Sequence, residues 1–213
     1  MSFVENPAVA ASNTGGSVLW FCFLNKLMEV RMIGRTLALI CASALVPVAA
    51  HAASMTVIGN NPAARECFLA ADSDRVRPDA QALCTRALDS GSLRYRDQVA
   101  TLVNRGVIRF RASQFDGAVA DFDAVLARDA NQPDALINKG ITMLASGGDI
   151  DSAVRLLDRG LQGNPQRPWV GYYGRAVANE LAGRDTQAYN DYRQAKLLRP
   201  EWKLASDALA RFN

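Results

Sequence analysis

Histidine is almost absent from this chain of 213 residues, whose single example is His51. Most Ser and Cys nucleophiles are activated by a neighbouring imidazole, so this scarcity argues against Ser–His and Cys–His catalysis. Cysteine is also rare, with four residues and no C-x-x-C spacing among them. The sequence therefore predicts no catalytic residue, no cofactor and no metal site.

Carboxylates are the one catalytic residue type that the chain has in abundance. They recur at regular intervals along the chain, as the solvent-facing residues of stacked helices would. An enzyme with a carboxylate site is therefore kept only as an alternative interpretation. The aspartates concerned are Asp121, Asp123, Asp149, Asp151, Asp158, Asp185 and Asp191.

A strong excess of charge of either sign is missing too. The formal net charge is +3, and residues 1–52 contain three of the basic and two of the acidic residues, so the rest of the chain carries +2. Nucleic-acid-binding domains usually have a concentrated excess of Lys and Arg. We therefore expect no nucleic-acid partner.

The main apolar stretch, from Leu37 to Ala50, is shorter than the roughly 20 residues of a membrane-spanning helix. Arg31 and Arg35 precede it, and Ala50-His51-Ala52 follows it. A basic region, a short apolar region and an A-x-A site are typical of a secretory signal peptide. The pattern predicts cleavage after Ala52, and an uncleaved membrane anchor is the alternative.

Signal peptides begin close to the start of translation, so we expect the true start at Met28 or Met32. Residues 1–31 are then an upstream extension without structure, and residues 32–52 are the signal peptide. The mature protein is expected to be periplasmic or secreted, with no stable membrane insertion after cleavage.

The clearest positive feature is a short sequence motif, called here a phrase, that occurs three times at a step of 35 residues. Positions i, i+4, i+7 and i+8 of each copy mark one face of a helix. A turn residue precedes each copy by five positions, at Ser113, Gly148 and Gly183. The copies are Ala118, Phe122, Val125 and Leu126; Ala153, Leu157, Gly160 and Leu161; and Ala188, Tyr192, Ala195 and Lys196.

A second phrase lies upstream of each turn, with a small residue at its third position: Gly106, Gly140 or Ala176. Each unit is therefore predicted as helix, tight turn, helix. This arrangement resembles the tetratricopeptide repeat, which has a small residue midway along its first helix, A-x3-F in its second and a closing proline. The closing prolines here are Pro165 and Pro200.

The resemblance implies an all-α fold, a right-handed α-solenoid in which three hairpins over residues 99–200 stack on one another. One hairpin cannot bury its apolar face alone, so its neighbours must cover it. Residues 53–98 carry a fainter copy of the phrase and are predicted as a degenerate N-terminal hairpin. Its first helix is expected from Pro62 to Ala71. Residues 201–213 are predicted as a capping helix.

Cys67 and Cys84 are the two cysteines that remain after removal of the predicted signal peptide. They fall on the two antiparallel helices of the degenerate hairpin. Because disulfides are typical of exported proteins, we expect a Cys67–Cys84 bond that staples this weak terminal repeat. A redox-sensing role for the pair is the alternative.

An arginine precedes an aspartate by sixteen residues in two repeats, as Arg105 with Asp121 and as Arg175 with Asp191. In the middle repeat Lys139 replaces the arginine, and the place aligned with Asp121, 35 residues later, is taken by Leu156, which has no carboxylate. This parallel change predicts an ion pair within the first and third hairpins and none in the second.

The resemblance implies that a protein or peptide partner binds in the concave groove lined by the first helices. Asn104 and Asn138 occupy the central asparagine place of that groove, without the basic neighbours that would grip a carboxylate tail. We therefore expect an exported protein–protein adaptor. A structural subunit of a cell-envelope complex, bound through the solenoid edge, is the alternative. The apolar members of the predicted groove fit a stacking core equally well. The predicted groove residues are Val103, Asn104, Val107, Ile137, Asn138, Ile141, Tyr173 and Val177.

Overall fold

The computed structural model describes residues 52–57, 59–73 and 77–212, and within these ranges the regular secondary structure is α-helical. The predicted extension and signal peptide, residues 1–31 and 32–52, lie outside the described residues except for Ala52. The described part contains nine helices, which are α1 (Pro62–Asp72), α2 (Ala80–Asp89), α3 (Tyr95–Arg111), α4 (Phe115–Leu126), α5 (Pro133–Ala145), α6 (Ile150–Gln162), α7 (Pro168–Leu181), α8 (Asp185–Leu198) and α9 (Lys203–Ala210).

The helix starts follow from local sequence. The side chain of Asn61 accepts a hydrogen bond from the amide of Ala64, and Pro62 is the first residue of α1. Asp149 accepts one from the amide of Ser152 and begins α6 in the same way, at 2.7 Å. A side-chain oxygen at this place satisfies an amide that has no partner within the helix.

The turns α3–α4, α5–α6 and α7–α8 each contain one residue with left-handed backbone. These residues are Ser113, Gly147 and Gly183, with φ of 58°, 75° and 70°. The sequence placed the middle turn at Gly148, one residue later. The difference arises because the turn between α5 and α6 has four residues, whereas the other two turns have three.

Successive helices pack as hairpins, α1 with α2, α3 with α4, α5 with α6, and α7 with α8, and the hairpins stack through neighbouring helices. The small residues of the first helices make this packing possible. A Cβ atom on Gly106 would lie 2.5 Å from Cε1 of Phe122, and one on Gly140 would lie 3.0 Å from Cγ of Leu157. The α-solenoid predicted from the repeat is therefore confirmed.

The C-terminal end is covered by α9 and its flanking aromatic residues. The ring of Trp202 lies 5.0 Å from that of Tyr173, and the ring of Phe212 lies 6.0 Å from that of Tyr192. The helix itself, Lys203–Ala210, is shorter than the predicted range 201–213. Trp202 and Phe212 pack from positions just outside it.

A disulfide joins Cys67 of α1 to Cys84 of α2, with the two Cα atoms 4.8 Å apart. Both side chains are fully buried between the helices of the first hairpin. In the chain-entropy description, a closed loop of this size adds about 3 kcal/mol to the free energy of unfolding. The bond therefore supports the first described hairpin, which has a neighbouring hairpin on one side only within the described residues.

Both of the predicted ion pairs are present. Nη2 of Arg105 lies 2.7 Å from Oδ1 of Asp121, and Arg175 approaches Asp191 at the same distance. Lys139 of the middle hairpin is also paired, although its own hairpin lacks the acid. Its partner is the carboxylate of Asp123 in the preceding hairpin, which stacking brings within reach.

Candidate functional site

Residues 52–57, called here the N-terminal segment, lie along the first helices of the hairpins and belong to no helix themselves. Ala53 and Ser54 are each 1% exposed, and Met55 is 5% exposed. Ala53 and Met55 are part of the hydrophobic core that also contains side chains of α3 and α5. The groove along these helices is therefore filled by the chain's own residues.

Two asparagines hold the segment by its main chain. Oδ1 of Asn138 accepts a hydrogen bond from the amide of Ala53, and Nδ2 donates to the carbonyl of the same residue, both at 2.8 Å. Asn104 makes the same pair of bonds with Met55, at 2.7 and 2.8 Å. A carboxamide has an acceptor and a donor side by side, so one asparagine satisfies both main-chain groups of one residue.

The spacing of these bonds is that of an extended peptide. They reach every second residue of the segment, and alternate residues of an extended chain face the same side. Asn104 on α3 and Asn138 on α5 occupy the same place in consecutive hairpins and are fully buried. A buried amide without partners costs free energy, so these side chains need a peptide beside them.

A polar cluster covers Ser54. Its hydroxyl donates to Oδ1 of Asp72 at 2.9 Å, and Asp72, the last residue of α1, also pairs with Arg167 before α7. Burial alone would raise the pKa of the Asp72 carboxyl, but the hydrogen bonds from Arg167 and Ser54 lower it below its ordinary value. The ion pair joins the first hairpin to the last across the N-terminal segment.

Two further side chains bind the segment and the residues that follow it. The amide of Thr56 donates to Oε1 of Gln166, and the amide of Gly59 donates to Oδ1 of Asp97, each at 3.1 Å. Gln166 lies in the loop before α7, and Asp97 lies in the first turn of α3. The main chain is thus held by four side chains from three parts of the solenoid.

Gln132 and Asp134, at the start of α5, support this arrangement. Oε1 of Gln132 accepts from the amide of Ala135 at 2.6 Å, and its Nε2 lies 3.5 Å from Sδ of Met55. Asp134 accepts from the amide of Gln166 at 3.1 Å, which holds that loop against the groove. Burial raises the pKa of the Asp134 carboxyl above its ordinary value.

The groove continues beyond the segment. The third hairpin has Gly174 where the first two have asparagine, so the pair of amide contacts is not repeated there. Next to Ala52 the groove opens into a cavity of about 770 Å³. Its wall combines two indole rings with charged side chains of both signs: Trp169, Trp202, Asp72, Arg111, Arg167, Arg199, Glu201 and Lys203.

The six apolar members of the predicted groove are packed between stacked helices. A Cβ atom on Gly160 of α6 would lie 2.6 Å from Cγ1 of Ile137, and one on Gly174 of α7 would lie 2.8 Å from Cγ1 of Ile141. Of the eight predicted residues, Asn104 and Asn138 hydrogen-bond to the N-terminal segment. The other six are buried: Val103, Val107, Ile137, Ile141, Tyr173 and Val177.

Four of the groove side chains were not identified from the sequence: Asp72, Asp97, Gln132 and Gln166. Asp97 lies seven residues before Asn104, and positions i and i+7 share one helix face, so this signal was available. The two glutamines and Asp72 lie at helix ends or in a loop, where no periodic pattern marks them.

Two other properties concern the described residues as a whole. Within residues 52–57, 59–73 and 77–212, no three His, Cys, Asp or Glu side chains are grouped so that they could hold a metal ion. In the same ranges no helix combines the length and the apolar character needed to cross a bilayer.

The fold and the groove together define a class: an α-solenoid of stacked helical hairpins whose concave face holds an extended segment. The family model described as tetratricopeptide repeat matches residues 109–178, from the end of α3 into α7. This match and the repeated helical hairpins together support a tetratricopeptide repeat protein. Such repeats generally mediate protein–protein interaction and are typically non-catalytic. No curated protein matches the chain significantly.

Proposed function

We propose that the protein is an adaptor that binds a partner polypeptide as an extended segment in the groove. One observation carries this proposal: Asn104 and Asn138 each make two hydrogen bonds to the main chain of one residue. Every residue except proline has both of these main-chain groups, so this mode selects an extended conformation first and a sequence second.

The four hydrogen bonds made by the two asparagine side chains also set a limit on the free energy of binding. Each contributes about 1 kcal/mol net, so together they give about 4 kcal/mol, which corresponds to a dissociation constant near the millimolar range. Burial of one apolar side chain the size of Met55 adds about 2 kcal/mol. The adaptor is therefore expected to bind single short peptides weakly and reversibly.

We further propose that the adaptor works in the periplasm or outside the cell, after cleavage behind Ala52. The support is the signal-peptide pattern of residues 32–52 and the two cysteines of the first hairpin, which lie at bonding distance. Disulfides form and persist in oxidising compartments.

The solenoid edge is a second candidate surface. Leu197 of α8 is 66% exposed, and it lines a shallow depression together with Tyr189 and Leu209. Exposed apolar side chains grouped in this way mark interaction surfaces more often than isolated ones do. An envelope subunit bound through this edge would leave the groove unused.

Titration of the full chain with a library of short fluorescent peptides separates the two surfaces. The asparagine contacts are tested in a chain whose N-terminal segment is kept out of the groove by Ala53→Asp and Met55→Asp, because the same contacts hold that segment. In this background, Asn104→Ala with Asn138→Ala should weaken binding by about 1 kcal/mol or more per lost hydrogen bond, while the helical circular dichroism is retained. The matched control, Leu197→Ser, should bind as the wild type does.

The opposite pattern, with binding lost in Leu197→Ser and kept in the double variant, would assign the contact to the edge. If the asparagine variant unfolds, both residues belong to the scaffold and the groove proposal is wrong.

A further inference from the structure

The side chains that would bind a partner already have one inside the same chain. Asn104 and Asn138 are fully buried and bond to Met55 and Ala53. Each carboxamide uses its oxygen and its NH₂ group on the main-chain N–H and C=O of one residue. A partner that uses the same amides must therefore replace the N-terminal segment.

The segment is held in the manner of a ligand. Its main chain is bound by the side chains of Asn104, Asn138 and Gln166, which offer the same groups to any extended peptide. Residues 58–61 alone separate it from the first residue of α1. A short tether of this kind gives an effective concentration in the millimolar range, which suffices to fill a groove of modest affinity.

The segment also shows which side chains the groove accepts. Ala53 is almost completely buried in the core, so a larger side chain there would have to displace core residues. Ser54 uses its hydroxyl to donate to Asp72. Met55 is buried beside Nε2 of Gln132. Thr56, by contrast, is exposed. Three consecutive positions are thus read: a small residue, a hydroxyl residue and an unbranched apolar residue.

The ion pair between Asp72 and Arg167 adds a closure over this site. The two residues are 95 positions apart in sequence and belong to the first and the last hairpin, and the Ser54 hydroxyl donates to the same carboxylate. Release of the segment therefore removes one partner of the Asp72 carboxylate, and a peptide with Ser or Thr at the matching place restores it.

We propose that residues 53–57 are an intramolecular ligand of the groove, and that the adaptor binds an extended peptide of the pattern small–hydroxyl–apolar by exchange with them. This inference rests on the proposed function, because it names the partner class of the same groove and the step that precedes binding. Without a partner, the groove of the adaptor is filled by residues 53–57. A partner peptide binds only by displacing them.

The size of the expected effect follows from the closed fraction. When the binding-competent form is a fraction f of the molecules, the apparent dissociation constant rises by 1/f. A segment that fills the groove in at least nine molecules of ten therefore weakens peptide binding at least tenfold. A full chain whose segment cannot enter the groove should show the intrinsic affinity.

The test uses the full chain and a fluorescent peptide of residues 52–57, Ala-Ala-Ser-Met-Thr-Val, followed by fluorescence anisotropy. In the variant Ala53→Asp with Met55→Asp, two carboxylates would have to be buried without partners, so the segment leaves the groove. This variant should bind the peptide at least tenfold more tightly than the wild type. The control Thr56→Asp adds a charge at an exposed position of the same segment and should bind as the wild type does.

A second peptide tests the main-chain contact itself. Replacing its methionine by proline removes the N–H that Asn104 would accept, so binding to the opened variant should fall severalfold. Equal binding of the first peptide to the folded opened variant and to the wild type would overturn the proposal, since the segment would then be a fixed part of the scaffold.

Should the opened variant fail to fold, hydrogen exchange of the wild type decides. Amides of Ala53 and Met55 that exchange much faster than those of α5 indicate an exchangeable segment, whereas equal protection overturns the proposal.

The adaptor function and the exchange with the N-terminal segment can fail separately. An opened variant that binds its own segment but no library peptide contradicts the adaptor function alone. Library binding that is equally strong in the wild type contradicts the exchange alone.

Discussion

Asparagine has the chemistry that the two central groove positions require. Its amide offers an acceptor and a donor in one plane, and both are used at Asn104 and Asn138. An aspartate there would keep the acceptor, lose the donor and bury a charge. The third hairpin has Gly174 at this place, and its packing against Ile141 leaves no room for a side chain. The number of peptide contacts is thus set residue by residue.

Asp134 is the residue whose protonation should affect stability. Burial is the largest influence on its carboxyl and raises the pKa above the ordinary 3.8, although the amide of Gln166 and the side chain of Gln132 oppose the shift. A raised pKa means that this group favours the folded state most below its unfolded pKa, and that the contribution is lost as the pH rises through the folded pKa.

The substitution Asp134→Asn is therefore expected to raise the melting temperature at pH 7, because the amide keeps an acceptor for Gln166 and removes the buried charge. The gain should vanish when the pH falls below about 3.8, where aspartate is protonated in both states. Calorimetric scans across this range check the prediction.

The control is Asp116→Asn, at an exposed position in the first turn of α4, which should change the unfolding free energy by less than about 0.5 kcal/mol at either pH. A gain for Asp134→Asn that is equal at both pH values would contradict the electrostatic explanation.

Among the individual groove residues, the sequence predicted those that stand at equivalent positions in consecutive repeats. Asn104 and Asn138 stand at equivalent places in consecutive repeats, so comparing the repeats with one another identified them. Asp72 and Gln166 could not be found in this way, because they act from a helix end and a loop. Their partners, Ser54 and Thr56, are far away in sequence and lie in no repeat.

At the scale of helices, close approach depends on glycine at the crossing points. Gly160 of α6 is the sharpest case, since a Cβ atom there would lie 2.6 Å from Cγ1 of Ile137 and 2.9 Å from the carbonyl oxygen of Pro133. The second contact is with backbone, which cannot rotate aside as a side chain can. Gly160→Ala should therefore lower the unfolding free energy by about 1–3 kcal/mol, measured by chemical denaturation.

Gly117→Ala in α4 is the matched control. Its Cβ atom would meet Cδ of Arg109 at 3.2 Å, and a flexible side chain can yield there. Since alanine favours a helix over glycine by up to about 1 kcal/mol, this change should be neutral or stabilising. Equal destabilisation by both substitutions would mean that helix propensity or general strain, and not the α5–α6 contact, governs the stack.

The helices themselves could be predicted because each hairpin buries its residues against its nearest neighbours, which imprints a fixed period on the chain. The structure differs from the prediction where a turn changes in length or where a contact crosses from one hairpin to the next. The left-handed residue of the middle turn is Gly147, one position before the predicted turn residue Gly148, because this turn is longer by a residue. Lys139 pairs with Asp123 across the boundary between two hairpins, a contact that a comparison within single repeats does not include.

At the scale of the whole molecule, the N-terminal segment is the contact that the period could not reveal. Ala53 and Asn138 are 85 residues apart, and the segment has neither helical nor strand alternation of its own. The sequence assigned residues 53–98 to one degenerate hairpin with its first helix from Pro62. The helix does begin at Pro62, but residues 53–57 lie in the groove. Together with the Asp72–Arg167 ion pair, this short segment connects hairpins that otherwise pack mainly against their neighbours.

The last prediction concerns how this segment arises. Ala52 and Ala53 are 5% and 1% exposed, so a signal peptidase would have to cut behind Ala52 before the groove closes over the segment. N-terminal sequencing of protein from the native envelope is expected to begin at Ala53, which makes the groove ligand the first residues of the mature chain. Ala52→Phe should block processing, because the A-x-A site requires small residues. Intact chain that begins at Met1 and is recovered from the cytoplasm would contradict export, and the segment would then enter the groove as part of a longer N-terminal region.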